Sequence, residues 1–186
     1  MSNRRKIPKR PRFYVGCEGQ SEVSYIAWVQ DLCEAEDIRI AVERDDLSSG
    51  DPLSRVNEAI RRIKQKEAGR EPFKACFILL DRDQADADPH KTNVAIHLAE
   101  NKGIGLVWQR PCHEGFLLRH FAGHENDLPA NCALADQTLK NVWPIYDKPM
   151  DKRDLSSGLS KQEVVRAANN DPAFANLLSA FGLPLA

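Results

Sequence analysis

The stretch Ala75-Cys-Phe-Ile-Leu-Leu-Asp-Arg-Asp83 constrains the fold more than any other part of the chain. An apolar run without a polar face, ending at once on charge, reads as a strand buried on both sides. Its C-terminal end is where open parallel sheets bind ligands. If the strand persists past Arg82, Asp81 and Asp83 face the same side. Two carboxylates aimed at one point repel each other, and a divalent cation near both relieves the repulsion. An Asp-rich turn or a helix cap is the plainer reading of the same residues.

Other acidic positions fall at corresponding places. Phe13-Tyr-Val-Gly-Cys17 reads as a first strand, followed by Glu18-Gly-Gln-Ser-Glu22. Gly19 suits a tight strand-to-helix turn and Ser21 a cap. Glu18 then occupies the strand-end loop, and Glu22 the first turn of a helix running to about Asp37. The segment Ile38 to Glu43 alternates as a half-exposed strand, and 44–50 reads as a polar loop. Asp51-Pro52 starts a helix with Leu53, Val56, Ile60 and Ile63 inward. Arg55, Glu58, Arg61, Arg62 and Lys66 fall on its other face, as a solvated surface or a nucleic-acid one. After the central strand, 84–90 reads as loop, Lys91 to Asn101 as helix and Ile104 to Trp108 as strand. Pro111 then leads into a short helix that places Glu114 near the same sheet edge; a salt bridge or a cap is its plainer use. Strands alternating with helices imply a largely parallel sheet with helices on its faces.

The 186 residues suffice for one core-bearing domain with an appendage. We divide them into a basic arm (1–12), an α/β core (13–122) and a C-terminal extension packed on the core (123–186). The net charge of -1 is poorly mixed: Arg4, Arg5, Lys6, Lys9, Arg10 and Arg12 precede every acidic residue. Such an arm suits a polyanion backbone, or serves only as a solubilising tail. In the extension, Trp143-Pro-Ile-Tyr-Asp-Lys148 is followed by Lys152 and Arg153. These residues suit stacking and clamping of a nucleic-acid strand, and equally suit tertiary packing. Ser160 to Glu163 is a capping box, and Asp171-Pro172 opens a last short helix. The five cysteines form no CxxC pair and read as reduced thiols of a cytoplasmic protein. No run is apolar over the length of a membrane span, and no secretory leader follows the basic start. The Cys and His spacing fits no standard zinc site, and no Walker or dinucleotide-binding loop is present.

Three blocks carry a resemblance. Cys17-Glu-Gly-Gln-Ser-Glu22, Leu80-Asp-Arg-Asp83 and Arg110-Pro-Cys-His-Glu-Gly-Phe-Leu-Leu-Arg-His-Phe121 resemble the signature blocks of the RloB family, which is similar to Toprim-domain proteins. Tyr146-Asp-Lys148 resembles a weaker fourth. The resemblance implies a Toprim-like α/β fold: a largely parallel central sheet flanked by helices, with a helical C-terminal extension. It implies that Glu18 is a general acid/base or metal-linked residue and that Asp81 and Asp83 bind magnesium. It also implies a bacterial restriction or phage-defence setting, sometimes beside an ATPase partner. His113 and Phe116 stand where the family usually has an aromatic residue and a tryptophan; Glu114 is kept.

The expectation is therefore an Mg2+- or Mn2+-dependent nuclease, or related phosphodiester hydrolase, acting on DNA or RNA. Glu18 and Glu114 are its candidate catalytic residues, and Asp81, Asp83, Glu18 and Glu22 its candidate metal ligands. Arg4, Arg5, Lys6, Lys9, Arg10, Arg12, Lys148 and Lys152 are the candidate nucleic-acid contacts. The alternative is a non-catalytic nucleic-acid-binding or regulatory subunit of a defence system. An enzyme acting on a small phosphorylated ligand is the third reading.

Overall fold

The computed structural model describes residues 9–47 and 50–185, so Arg4, Arg5 and Lys6 of the basic arm lie outside the described residues. The strands are β1 (Arg12–Cys17), β2 (Ala41–Asp46), β3 (Ala75–Asp81) and β4 (Ile104–Gln109). They form one parallel sheet in the order β2-β1-β3-β4. Helix α1 (Gln20–Ala35) connects β1 to β2, and α2 (Pro52–Glu67) connects β2 to β3. Two helices, α3 (Arg82–Ala87) and α4 (Pro89–Asn101), lie between β3 and β4. The chain then continues through α5 (His113–Leu118), α6 (Cys132–Val142), α7 (Lys152–Gly158), α8 (Lys161–Asn169) and α9 (Pro172–Phe181). This is the expected α/β architecture with a helical C-terminal extension.

Alternation along the strands makes two cores. Phe13, Val15, Phe77, Leu79 and Val107 pack on one face with α1, α5 and the C-terminal helices. Tyr14, Ile78, Leu80 and Ile104 pack on the other with α2 and α4. A strand buried on both faces needs apolar residues at every position, which is why β3 reads as an unbroken run. The winding leaves β1 toward β2 in one direction and β3 toward β4 in the other. Neighbouring strands β1 and β3 therefore flank the point where the sheet order reverses, the crevice where open α/β sheets bind ligands.

Three local expectations need correction. Strand β2 begins at Ala41, not Ile38, and runs through Asp46 into the expected loop. Its acids are tolerated because cations meet them: Arg12 reaches Glu43 at 2.7 Å, and Lys66 reaches Asp45 at 3.2 Å. Strand β3 stops at Asp81, which is the N-terminal flank of α3, so Asp83 lies in a helical first turn and not two residues along a strand. Much of the expected 84–90 loop is therefore helical. In the C-terminal extension α6 is capped by Asn131, whose side chain accepts from the Leu134 N–H at 2.9 Å. All five cysteines are free, and among the described residues no helix is long and apolar enough to cross a membrane.

Candidate functional site

Glu18 and Asp81 leave the sheet side by side, because β1 and β3 are paired neighbours. Glu18 Oε2 accepts the backbone N–H of Asp81 at 2.9 Å, and Oε1 meets Arg55 Nη2 at 3.0 Å. Arg55 is only 4 % exposed, and its Nη1 donates to Gln84 Oε1 at 2.8 Å. It thus leaves the expected solvated face of α2 and enters the site. Burial pushes the Glu18 carboxyl up; the Asp81 N–H and Arg55 oppose that shift without cancelling it.

Asp81 is the electrostatic focus. Burial first, then the charges of Glu18, Glu22, Asp83 and Glu114, push its carboxyl up to about 9. Gln109, fully buried at the end of β4, holds this group together. Oriented to satisfy all its neighbours, its amide donates to Asp81 Oδ1 at 3.0 Å and to Glu22 Oε1 at 3.1 Å, and accepts from His113 Nδ1 at 2.8 Å. Burial lowers the His113 pKa, so the ring is neutral and suited to that donation. Glu22 also caps the start of α1, its Oε2 accepting from Gly19 N at 3.1 Å.

Glu114 has different company. Its Oε1 is paired with Lys148 and accepts from Tyr146 Oη at 2.9 Å, while Cys112 Sγ lies 3.1 Å from Oε2. Burial pushes its carboxyl up, but Lys148 and Cys112 outweigh burial and bring it down to about 2. Glu114 is therefore an ionised, fully partnered carboxylate. Asp83 is exposed; its Oδ1 accepts from Gln84 N at 2.6 Å and its Oδ2 from Cys132 Sγ at 3.3 Å.

Carboxylate oxygens are suitable donors for a hard cation such as Mg2+ or Mn2+, and the charge crowding at Asp81 is what a cation relieves. Among the described residues, however, no group of three or more His, Cys, Asp or Glu side chains is disposed to hold one ion. Protein donors hold the acids instead: Arg55 on Glu18, Gln109 on Asp81 and Glu22, Lys148 on Glu114. The donor chemistry fits a divalent cation, and a ready-made coordination shell is not formed.

The remaining basic candidates are dispersed. Lys9 meets Glu71 at 2.7 Å, Arg10 meets Glu34 at 3.1 Å, and Lys152 meets Asp31 at 2.6 Å. Arg12 opens β1, with its guanidinium 4.3 Å from the centre of the Phe73 ring. The aromatic cluster is tertiary packing, not a stacking platform: Trp143 and Tyr146 are buried, their ring centres 5.9 Å apart. Sequence reasoning missed Arg55, Gln109 and the Tyr146 hydroxyl as site residues.

The third block also supports the second. Pro111 O accepts from Arg82 N at 3.0 Å and from Asp83 N at 3.1 Å. Gly115 makes room for that segment, since a Cβ there would lie 2.2 Å from Arg110 O and 2.6 Å from Pro111 Cδ. Gly115→Ala is expected to destabilise the protein by about 3 kcal/mol, because backbone and a proline ring must move. That corresponds to a melting temperature lower by roughly 10 °C, read by thermal unfolding. An unchanged melting temperature would mean that the contact relaxes without cost.

No curated protein and no solved structure gives a significant match to the chain. Residues 13–176 of the 186, which run from the second residue of β1 to the middle of α9 and include every acidic residue described above, match the family described as RloB-like protein, and the chain belongs to that family.

Proposed function

We propose that the chain is a metal-dependent nuclease, or related phosphodiester hydrolase, acting on DNA or RNA in bacterial phage defence. Further parts of the proposal are a cytoplasmic setting and an ATPase partner. The observation that carries it is the crowding of Glu18, Glu22, Asp83 and Glu114 around Asp81, at the strand ends beside the sheet's reversal point. Asp81 and Asp83, with Glu18 and Glu22, are the residues that would hold Mg2+ or Mn2+. Bound there, the cation would supply charge neutralisation at the phosphate and a more acidic water. Glu18 moves the proton, since burial raises its carboxyl toward the working pH and Arg55 fixes its orientation. Gln109 holds the Asp81 carboxyl in place, and half-exposed Lys148 keeps Glu114 ionised beside it.

The test is incubation of the full chain with labelled single- and double-stranded DNA and RNA, with Mg2+ or Mn2+. Cleavage is expected in wild type and is expected to fall by about 100-fold or more in Glu18→Gln and Asp83→Asn. Cleavage undiminished in both variants would remove these residues from the mechanism. Saturable hydrolysis of mononucleotides, with polymers untouched, would point to a small phosphorylated substrate.

A second reading, a non-catalytic nucleic-acid-binding or regulatory subunit, draws on a specific observation: Glu18, Glu22 and Glu114 are each held by a protein donor. Metal-free binding of nucleic acid, unchanged in Asp83→Asn and with no polynucleotide cleaved, would favour it.

A further inference from the structure

Beside the acidic group lies a cleft of about 430 Å3 lined by none of its carboxylates. The two are linked through the end of β4. Gln109 turns toward Asp81, while Trp108, on the opposite face of β4, and Arg110, just past its end, line the cleft. We propose that this cleft receives one unpaired nucleotide of a single strand, placing the neighbouring phosphodiester at Asp81 and Asp83. The proposal rests on the reading that the chain acts on nucleic acid, and it narrows the substrate to single-stranded or unpaired segments.

The cleft carries the parts such a nucleotide needs. Trp108 supplies an aromatic surface, half-buried and already stacked by the Arg82 guanidinium, 5.3 Å from the ring centre. Unpaired bases stack on aromatic rings and guanidinium planes, whereas a base inside a duplex already has both faces covered. Asn126 and Asn170 supply amides at the wall, able both to donate to and accept from a base edge. Leu128, 66 % exposed, offers an apolar side chain at the same wall. Charge suits one phosphate. Arg119 is paired with Asp171 at 3.2 Å, and Arg166 is shared between Glu163 at 3.2 Å and Glu125 at 3.6 Å. Exposed Arg110 makes no ion pair or side-chain hydrogen bond among the described residues, which leaves its guanidinium uncommitted and able to meet a phosphate. Arg119 also has a buried Nε that finds no hydrogen-bond partner among the described residues, an unused donor on a cleft residue. The volume lies within the range of about 300–1,000 Å3 typical of small-ligand sites, too small for a duplex.

The test is binding of short labelled single-stranded RNA and DNA, and of the matching duplexes, to the full chain in EDTA, so that cleavage does not interfere. Single strands are expected to bind more tightly than duplexes and to quench tryptophan emission, chiefly from Trp108, since Trp28 and Trp143 are buried. Trp108→Ala is expected to weaken single-strand binding by roughly 10- to 100-fold, with Trp108→Phe retaining most of it. Trp108 also packs on the second core, so Arg110→Ala, at an exposed side chain, keeps the test sound if Trp108→Ala unfolds. Arg110→Ala is expected to weaken binding several-fold. Wild-type affinity in Arg110→Ala, equal affinity for duplex, or no binding by wild type each overturns the assignment. The two readings fail separately. Affinity lost in the cleft variants while wild type cleaves nothing leaves the cleft standing and removes the nuclease. Metal-dependent cleavage that needs Asp83, with Arg110→Ala binding and cleaving as wild type does, leaves the nuclease and removes the cleft.

Discussion

Asp81→Asn is expected to raise the melting temperature of the metal-free protein at pH 8 and to abolish metal-dependent cleavage. In the folded protein the Asp81 carboxyl is pushed from 3.8 up to about 9, by burial and then by four neighbouring carboxylates. Between those values the folded state binds a proton that the unfolded chain has released. The stability contributed by this group is therefore full below about pH 4 and falls as pH rises toward 9. Each tenfold difference in proton affinity between the folded and unfolded states corresponds to about 1.36 kcal/mol, and relaxation of the neighbours reduces the total. An asparagine removes the titration. Its amide oxygen still accepts from Gln109, and its amide nitrogen can donate to Glu18 or Glu22. A recovery of about 2 kcal/mol would raise the melting temperature by roughly 4–8 °C. Glu114 works in the opposite sense: held at about 2, it contributes stability above its ordinary 4.5 that is lost as pH falls through 2. Melting curves of both proteins from pH 4 to 9 decide the matter, and parallel curves would mean that Asp81 does not carry the proton. Because a cation must displace that proton, Mn2+ should stabilise wild type more at pH 8 than at pH 6, and Asp81→Asn little at either.

Much of the fold was legible because its signals are local. The apolar run of β3, the Asp51-Pro52 start of α2, the Ser160 capping box and Asp171-Pro172 each specify an element from adjacent residues. What was not legible depends on partners far along the chain. The polar half of β2 looks like loop until Arg12, Arg62 and Lys66 come to Glu43 and Asp45. Asp83 looks like a continuing strand until Pro111 O accepts the N–H groups of Arg82 and Asp83 and the chain turns into α3.

Sequence placed the acids at strand ends and in the helical turns that follow them; the groups that hold them were not legible. Gln109 is an uncharged residue closing a strand, and nothing beside it in sequence marks it as the bridge between Asp81 and Glu22. Tyr146 was read as an aromatic for stacking or packing and as part of a weak fourth block, yet it is its hydroxyl, turned inward, that meets Glu114. Arg55 did leave a trace. The buried stripe of α2 is Pro52, Arg55, Val56 and Ala59, spacing that puts Arg55 inside the apolar face. An arginine at such a position needs a buried partner, and a carboxylate is the obvious kind.

Arg55→Met tests that partnership. Methionine retains the aliphatic stem and removes the charge, leaving Glu18 buried against other carboxylates with the Asp81 N–H but no cation. Removing one partner of a buried pair costs about 3–5 kcal/mol, or roughly 10 °C in melting temperature for a chain of this size. The cost should depend on the Glu18 charge. Burial already raises the Glu18 carboxyl with Arg55 present, and without Arg55 it rises further. In the variant a larger part of the stability is therefore present at low pH and lost as pH rises, so the deficit at pH 8 should exceed that at pH 5. Adding Glu18→Gln to Arg55→Met should recover much of the loss, whereas Glu18→Gln alone leaves Arg55 without its anion and is destabilising. Urea unfolding of the four proteins at both pH values gives the coupling directly. Additive losses, unchanged between pH 5 and pH 8, would show that Arg55 contributes only the packing of its stem.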